Sequence, residues 1–316
     1  MKHVSMFFLS FSFFLLAACL GGQKVLAVDD HSTWMRPLAD SLRLCKLSLP
    51  GTHDSGASVH GGIYLKTQDL NIATQLIQGN RCFDIRLQPT GEGRLGVYHS
   101  VSFQDIYWEE NVLADFITFL KKNPSEMLIV SLKKEGGESA DYARLLSAVI
   151  NKPQYQPYFI KDFRADLTLG ECRGKILFLH RDHVMDNYPG ARCYNWADNA
   201  TCTMDLRSAT GEEAKVALQD EYQHSSANES PYKVEVCNRN INRVAAEPED
   251  SNLWGITFTS ATGIPLSGPA HFADRVNEPV AQHIQGMNKK PCGMVLIDFA
   301  GSKQGQMLVN AIIANN

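Results

Sequence analysis

The sequence lacks several patterns that would assign a biochemical function at once. No Cys-x-x-Cys pair and no cysteine–histidine cluster has the spacing of a zinc site. No run of like charges suggests a polybasic tail, and the net charge of -4 gives no general nucleic-acid footprint. No internal repeat and no low-complexity linker divides the chain. We therefore expect no nucleic-acid partner and one folded domain.

An apolar run at the amino terminus is too short and too close to the terminus for a stable membrane span. It reads "VSMFFLSFSFFLLAA" and follows "MKH", a pattern typical of an export signal. The segment has two candidate cleavage points. "LAAC" resembles a bacterial lipobox, with cleavage before Cys19, and "VLA" resembles an ordinary signal-peptidase site, with cleavage after Ala27. We assign residues 1–27 to the signal segment and 28–316 to the folded domain, and expect an exported protein, secreted or lipid-anchored at the cell envelope.

Some of the cysteines are expected to form disulfides, because an exported chain meets an oxidising environment. Seven lie beyond Cys19, an odd number, so at least one stays unpaired within the chain. Cys193 and Cys202 bracket a polar segment and are the expected bridge. The seven are Cys45, Cys82, Cys172, Cys193, Cys202, Cys237 and Cys292.

Short apolar runs alternate with amphipathic stretches after residue 40, which predicts a parallel α/β fold. "EMLIVSL" and "GKILFLH" are almost continuously apolar, as expected of strands buried on both faces. A helix is predicted over 103–124, and residues 182–250 are polar enough to predict long loops with one short strand. About seven strands in one domain favour a distorted or incomplete TIM (β/α)8-type barrel. A doubly wound sheet is the alternative, although no glycine-rich fingerprint follows the first strand.

Each strand that can be placed ends in an ionisable residue. In a barrel of parallel strands the chemistry lies at the carboxyl ends, and charges at the ends of buried strands are costly unless they are paired or used. The residues are His53 and Asp54 after the first strand, Asp84 and Arg86 in the second, then His99, Lys133, Arg181 and Asp298.

This set has a chemical logic. Two histidines can act as base and acid across one reaction centre. An arginine can hold a phosphate through two hydrogen bonds and neutralise charge that grows on its oxygens. A carboxylate behind one histidine fixes its tautomer. The set therefore favours phosphodiester cleavage by general acid–base catalysis without a metal.

Seven stretches in order resemble the bacterial phosphatidylinositol-specific phospholipases C, the X-domain family. They are "SLPGTHDS", "RCFDIRL", "YHS", "EMLIVSLKKE", "GKILFLHR", "LQDEY" and "VLIDF". The resemblance runs from about Trp34 to the carboxyl terminus, and the combination of the first three stretches is specific. It implies a distorted TIM barrel that cleaves phosphatidylinositol to diacylglycerol and inositol 1,2-cyclic phosphate.

The resemblance also implies a role for each residue. His53 would be the general base for the inositol 2-hydroxyl, oriented by Asp298. His99 would be the general acid for the diacylglycerol oxygen, and Arg86, helped by Asp54, would bind the phosphate. The positions implied for substrate binding are Lys133, Arg181, Asp220 and Tyr222 in the inositol pocket, with Asp84 near the phosphate.

Metal independence is a further expectation. Eukaryotic signalling members of the family bind calcium at this site, with acidic residues where Arg86 and Lys133 stand here. A divalent ion would be repelled by these two cations, and Arg86 already supplies the positive charge. We expect neither a metal nor another cofactor.

The expected partner is phosphatidylinositol, or a glycosylphosphatidylinositol (GPI) anchor, in a membrane. Apolar loop residues are candidates for docking on that membrane, and we expect a monomer. The candidates are Ile63 and Tyr64 in "VHGGIYL" and Ile264 and Leu266 in "SATGIPLSG".

Three other functions remain open from the sequence. One is a metal-dependent phosphodiesterase on the same barrel, such as a glycerophosphodiesterase, against which Arg86 argues. A second is a non-catalytic inositol-lipid-binding protein. The third is an enzyme of this fold that acts on another cyclisable phosphodiester lipid.

Overall fold

Nine strands close a barrel in the computed structural model, which describes residues 27–263 and 267–316. Around the barrel the order is β1-β13-β11-β9-β8-β7-β6-β5-β2, and β2 pairs again with β1. The strands are β1 Ser48–Thr52, β2 Cys82–Pro89, β3 Leu95–His99, β4 Ser102–Tyr107, β5 Leu128–Lys134, β6 Ile176–His180, β7 Ala191–Tyr194, β8 Thr201–Ser208, β9 Glu213–Gln219, β10 Gln223–His224, β11 Trp254–Phe258, β12 Thr262–Gly263 and β13 Gly293–Ile297.

Helices connect most of the parallel strands and cover the outside of the barrel. They are α1 Gly62–Leu65, α2 Ile72–Gln78, α3 Ala114–Lys122, α4 Ser139–Ile150, α5 Leu169–Cys172, α6 Ser230–Ala245, α7 Pro269–Gln285 and α8 Lys303–Ala314. A π-helical segment, Trp108–Leu113, leads into α3, and 3-10 turns lie at Leu44–Lys46, Gln156–Tyr158 and Ala227–Glu229. None of the helices in the described part of the chain combines the length and the apolar character that crossing a bilayer requires.

The predicted distorted TIM-type barrel is confirmed. The core of β5 and all of β6 are buried, as their continuous apolar runs indicate, because helices cover the barrel outside and side chains fill it inside. The distortion lies at β8, which is antiparallel to both of its neighbours while the other eight barrel strands run parallel.

The prediction of long loops over 182–250 is wrong, although the one short strand predicted there, near "KVALQDEY", is present as β9. This region contains β7, β8, β9 and α6. The exposed residues at the start of β8 and β9 are polar, and α6 buries only one stripe of its surface, which includes Val236, Ile241 and Val244. The exposed polar residues gave these strands and this helix the composition of loops, although each is buried on one side.

The predicted helix over 103–124 begins too early. Its first residues form β4, which makes a hairpin with β3, and only Ala114–Lys122 is α-helical. Aromatic rings pack along this hairpin, with centroids 5.1 Å apart for Tyr98 and Phe103 and 5.3 Å apart for Phe103 and Tyr107. Because β3 runs antiparallel to β2, His99 reaches the site on a strand that folds back from outside the closed barrel.

The predicted Cys193–Cys202 bridge is also wrong, and all seven cysteines in the described residues are free. Cys193 pairs in the ladder with Leu206, four residues from Cys202 along β8. At about 3.3 Å per residue that separation is about 13 Å, well beyond the reach of a disulfide.

Two predictions lie outside the described residues. The cleavage point before Cys19 belongs to the amino-terminal segment that precedes residue 27, and Ile264 and Leu266 fall in the second gap.

A buried ion pair lies at the amino-terminal ends of β2 and β5. Arg81 and Glu126 have fully buried side chains, and Glu126 Oε2 accepts from Arg81 Nε at 3.0 Å and from Nη2 at 2.8 Å. Arg81 also donates to the carbonyl oxygens of Leu76, Asn80 and His31. The pair therefore joins the start of β2 to the chain before β5 and to the chain at His31.

Glu126→Gln should lower the free energy of unfolding by about 3–5 kcal/mol, because it leaves the buried Arg81 charge uncompensated. Urea unfolding followed by circular dichroism measures this loss. Glu235→Gln is the control, since Glu235 pairs with Arg239 at 2.7 Å on an exposed helix face, where a loss of about 0.5 kcal/mol or less is expected. Equal losses in the two variants would contradict the structural role of the pair.

Candidate active site

A cavity of about 550 Å³ opens at the carboxyl ends of the barrel strands. Eight of the ten site residues predicted from the sequence line it, and the other two, Asp54 and Asp84, are buried and contact Arg86 behind the wall. The eight lining residues are His53, Arg86, His99, Lys133, Arg181, Asp220, Tyr222 and Asp298. The structure therefore brings the whole predicted set together.

Sharp turns follow the residues at three of these strand ends. Asp54, Ser100 and Phe299 all have positive φ, at 43°, 53° and 50°, a conformation that is uncommon for residues other than glycine. Each of them directly follows a predicted catalytic residue. The backbone therefore leaves the strand direction just where His53, His99 and Asp298 face the cavity.

The contacts of His53 define its tautomer. Arg86 Nη2 lies 2.8 Å from His53 Nε2, and Asp298 Oδ1 lies 2.8 Å from His53 Nδ1. An arginine can only donate, so Nε2 must accept, and the ring proton is on Nδ1, where it donates to Asp298. Nε2 is therefore the basic atom, and it lies next to Arg86, the predicted phosphate ligand.

Burial keeps this histidine neutral. Burial, with Arg86 next to it, lowers the pKa of His53 well below its usual value. Burial, with Asp54 nearby, raises the pKa of Asp298. Burial thus disfavours the imidazolium form of His53, which stays a neutral proton acceptor at neutral pH.

Arg86 is the centre of the cluster. Its Nε lies 3.1 Å from Asp54 Oδ2, its Nη2 3.1 Å from Asp84 Oδ2, and its Nη1 3.8 Å from Glu135 Oε1, with only 12% of the side chain exposed. Burial alone would raise the pKa of Asp84, but Arg86 and Arg181 hold it below its usual range. Burial raises the pKa of Asp54 to about 6, against the opposing influence of Arg86 and His99.

His99 faces His53 across the cavity, with ring centroids 6.2 Å apart. Its Nδ1 lies 2.6 Å from the carbonyl oxygen of Leu65, which can only accept, so Nδ1 carries a proton. Its Nε2 lies 3.3 Å from Asp54 Oδ2. Nε2 can hold a second proton with the Asp54 carboxylate as counter-ion, which is the arrangement of a general acid.

Polar side chains continue from this centre to the far wall. Lys133 Nζ pairs with Glu135 Oε2 at 3.1 Å. The Arg181 guanidinium lies 3.9 Å from the centroid of the Trp196 ring, and Trp196 Nε1 donates to Asp220 Oδ2 at 2.9 Å. Tyr222 and Asp198 follow at the wall, where the Tyr222 hydroxyl donates to Asp198 Oδ1 at 3.0 Å.

Glu135, Trp196 and Asp198 also belong to this cluster but were not predicted from the sequence. Glu135 could have been found, because it follows Lys133 by two residues and so shares its side of the strand end. Trp196 and Asp198 lie in the turn between β7 and β8, in the region predicted as loops. Among the described residues, no group of three or more His, Cys, Asp and Glu side chains has a metal-binding arrangement.

Comparison with known proteins identifies similar chains. Residues 47–182 match the family model described as "Phosphatidylinositol-specific phospholipase C, X domain". The 1-phosphatidylinositol phosphodiesterase of Staphylococcus aureus (strain Newman) is 26% identical over 286 residues, which cover 85% of this chain and 88% of the relative. The protein of the same name from Listeria monocytogenes serovar 1/2a is 28% identical over 303 residues, 90% of this chain and 84% of the relative.

Solved structures agree. A mutant of phosphatidylinositol-specific phospholipase C from Staphylococcus aureus matches with a TM-score of 0.77 and 25% identity over 89% of this chain and 97% of that chain. The enzyme from Listeria monocytogenes matches in fold, with a TM-score of 0.71 and 24% identity over 91% and 99% of the two chains. The family resemblance found in the sequence is confirmed.

The Asp54 carboxyl should titrate with a midpoint near pH 6, above its usual 3.8, because its burial disfavours the charged form. Arg86→Met should raise this midpoint further, by about 1–3 units, since it removes the cation that stabilises the carboxylate. Carbon-13 NMR of labelled aspartate measures both values. Lys215→Met, which removes an exposed cation that pairs with the buried Asp205, is the control. A native midpoint near 4, or no rise in Arg86→Met, would contradict this electrostatic account.

Proposed function

We propose that this chain, which carries a phosphatidylinositol-specific phospholipase C X domain over residues 47–182, cleaves phosphatidylinositol without a metal ion. The products are diacylglycerol and inositol 1,2-cyclic phosphate. The observation that carries the proposal is the pair of facing histidines whose Nε2 atoms have different partners, the Arg86 cation for His53 and the Asp54 carboxylate for His99.

His53 is the general base. When a phosphodiester enters, its oxygens attract the Arg86 guanidinium, and the inositol 2-hydroxyl takes the place of the Arg86 N–H at His53 Nε2. Nε2 accepts the hydroxyl proton while the hydroxyl oxygen bonds to phosphorus. Asp298 accepts from Nδ1 throughout, so it keeps the ring oriented and stabilises the imidazolium that forms.

His99 is the general acid. The bond between phosphorus and the diacylglycerol oxygen breaks, and His99 Nε2 gives its proton to that oxygen. Asp54 holds the protonated ring before the transfer. The cycle leaves a proton on His53 and none on His99 Nε2, so proton exchange with solvent restores the starting state.

Arg86 and Lys133 supply the positive charge that the phosphate needs. Both are fixed by carboxylates, Arg86 by Asp54, Asp84 and Glu135 and Lys133 by Glu135. Because these partners hold the cations in place before substrate arrives, little reorganisation is needed when charge grows on the phosphoryl oxygens.

The far wall is the inositol subsite in this proposal. Arg181, Asp220 and Tyr222 present a cation, a buried carboxylate and a hydroxyl to the same cavity. A polyol needs such a mixture of donors and acceptors, since each of its hydroxyls does both.

Phosphorus NMR of the native protein with phosphatidylinositol vesicles tests the function. The expected first product is the cyclic phosphate signal. His53→Ala and His99→Ala should each lower the rate by about 10²–10⁴-fold. The rate loss in His99→Ala should be much smaller with a diester whose leaving group is p-nitrophenolate, since that group departs without a proton.

An equal loss with both leaving groups in His99→Ala would contradict the acid assignment. No cyclic phosphate from the native protein would contradict the function itself and favour an inositol-lipid-binding protein.

The protein is also proposed to act after export, as a monomer that docks on a membrane through apolar residues around the cavity mouth. Ile63 and Tyr64 lie on α1 with 53% and 44% of their surface exposed, and Tyr64 lines the cavity. Val101, which follows His99 by two residues, is 88% exposed. Exposed apolar side chains on two segments beside one polar cavity are the expected pattern for a surface that meets lipid.

Ile63→Asp should weaken binding to phosphatidylinositol-containing vesicles by about tenfold, because burying a carboxylate in lipid is costly while burying the isoleucine is favourable. Vesicle sedimentation measures the bound fraction. Ile77→Asp is the control. Ile77 is similarly exposed, at 42%, but it lies on α2 and does not line the cavity. Its carbonyl oxygen accepts from the N–H of His31. Equal weakening by the two variants would contradict docking through the mouth.

A further inference from the structure

Two buried polar side chains next to the catalytic strand ends have no part in the chemistry proposed above. Thr67 and Gln68 follow α1 closely in the chain, and both are fully buried. Neither lines the cavity, so contact with substrate does not explain them. Their hydrogen-bond partners do.

Gln68 joins the strand end of the base to the strand end of its carboxylate. Its Nε2 donates to the carbonyl oxygens of His53 and Ile297, both at 2.8 Å. Its Oε1 accepts from the backbone N–H of Ala300 at 3.4 Å. Asp298 lies between Ile297 and Ala300, so the Gln68 amide holds the backbone on both sides of Asp298. The same amide also holds the backbone of His53.

Thr67 makes similar hydrogen bonds to Asp54 and Phe299, which directly follow His53 and Asp298. Its Oγ1 donates to the carbonyl oxygen of Asp54 at 3.0 Å. Its own carbonyl oxygen accepts from the N–H of Phe299 at 2.7 Å. Thr67 and Gln68 thus contact the segments that follow β1 and β13 with side chain and backbone alike.

These bonds lie where the sheet can no longer supply them. β1 and β13 pair in parallel up to Thr52 and Ile297, and His53 N–H still donates to the Ile297 carbonyl. One residue later both chains turn away, with φ of 43° at Asp54 and 50° at Phe299. Beyond the bond from His53 N–H to the Ile297 carbonyl, the ladder supplies no further hydrogen bond to hold His53 and Asp298 together.

We propose that Thr67 and Gln68 are positioning residues, which hold His53, Asp54 and Asp298 in one relative geometry without touching the substrate. The kinetic consequence rests on the proposed function, while the effect on the His53–Asp298 hydrogen bond does not. A displacement of about 1 Å at a catalytic group can cost about 10²-fold in rate, so the loss of these bonds should appear mainly in kcat.

Gln68→Met tests the amide, because methionine has nearly the same length and cannot bridge the two strand ends. We expect kcat to fall by about 10–100-fold while KM stays within about twofold. Gln78→Met is the matched control. Gln78 is equally buried and its Nε2 donates to the Ala300 carbonyl at 2.6 Å, but it contacts neither His53 nor Asp298. It should lower thermal stability and leave kcat within about twofold.

Thr67 offers a second pair of variants that does not depend on Gln68→Met folding. Thr67→Val keeps the shape and removes the hydroxyl, whereas Thr67→Ser keeps the hydroxyl. We expect Thr67→Val to lower kcat by about tenfold and Thr67→Ser to restore most of it. Equal kcat in the two variants would overturn the role of Thr67.

Proton NMR of the substrate-free protein gives a readout that a purely structural role would not move. The Nδ1 proton of His53, shared with Asp298, should give a downfield resonance in the native protein and in Gln78→Met. It should be shifted or lost to exchange in Gln68→Met. An unchanged resonance together with native kcat in Gln68→Met would overturn the proposal. A native protein that shows the resonance but does not cleave phosphatidylinositol would instead contradict the proposed function, and the resonance would still decide the role of Gln68.

Discussion

The site is organised around one buried guanidinium. Arg86 contacts Asp54, Asp84 and Glu135, and its Nη2 also donates to the basic nitrogen of His53. The guanidinium offsets part of the cost of burying these carboxylates, and Arg181 near Asp84 and Lys133 near Glu135 supply further positive charge. Because an arginine has no acceptor, it also dictates that His53 carries its proton on Nδ1, towards Asp298. Charge balance and the tautomer of the base therefore depend on the same side chain.

The same arrangement explains why the two histidines differ. The nearest polar neighbour of His53 Nε2 is a cation, whereas that of His99 Nε2 is the Asp54 carboxylate. A donor next to one ring favours its neutral form, and an acceptor next to the other supports a second proton. The backbone completes the assignment, since the Leu65 carbonyl fixes Nδ1 of His99. In the proposed mechanism, two chemically identical side chains thus take opposite roles because their partners differ.

Much of the site could be predicted from the sequence because parallel barrel strands end at one face. His53, Arg86, Lys133, Arg181 and Asp298 each follow or end an apolar run, so finding the strands placed the side chains. His99 was placed correctly for an incomplete reason, since its strand is antiparallel and folds back to the mouth. Of the region over 182–250 only the short strand that became β9 was predicted, because β7, β8 and α6 are exposed on one side and carry the polar composition of loops. Thr67 and Gln68 gave no signal, since a polar residue that bonds only backbone groups is recognisable only after folding brings those groups together.

In the proposed mechanism, Arg86 and Lys133 supply the positive charge that a metal ion would otherwise provide. The most direct test is the rate of phosphatidylinositol cleavage by the native protein after metal removal, measured in excess EDTA and then with calcium in excess over the chelator. We expect equal rates, within about twofold, in the two conditions, because no step of the mechanism uses a metal ion. Cleavage that is absent in EDTA and begins only when calcium is added would contradict it.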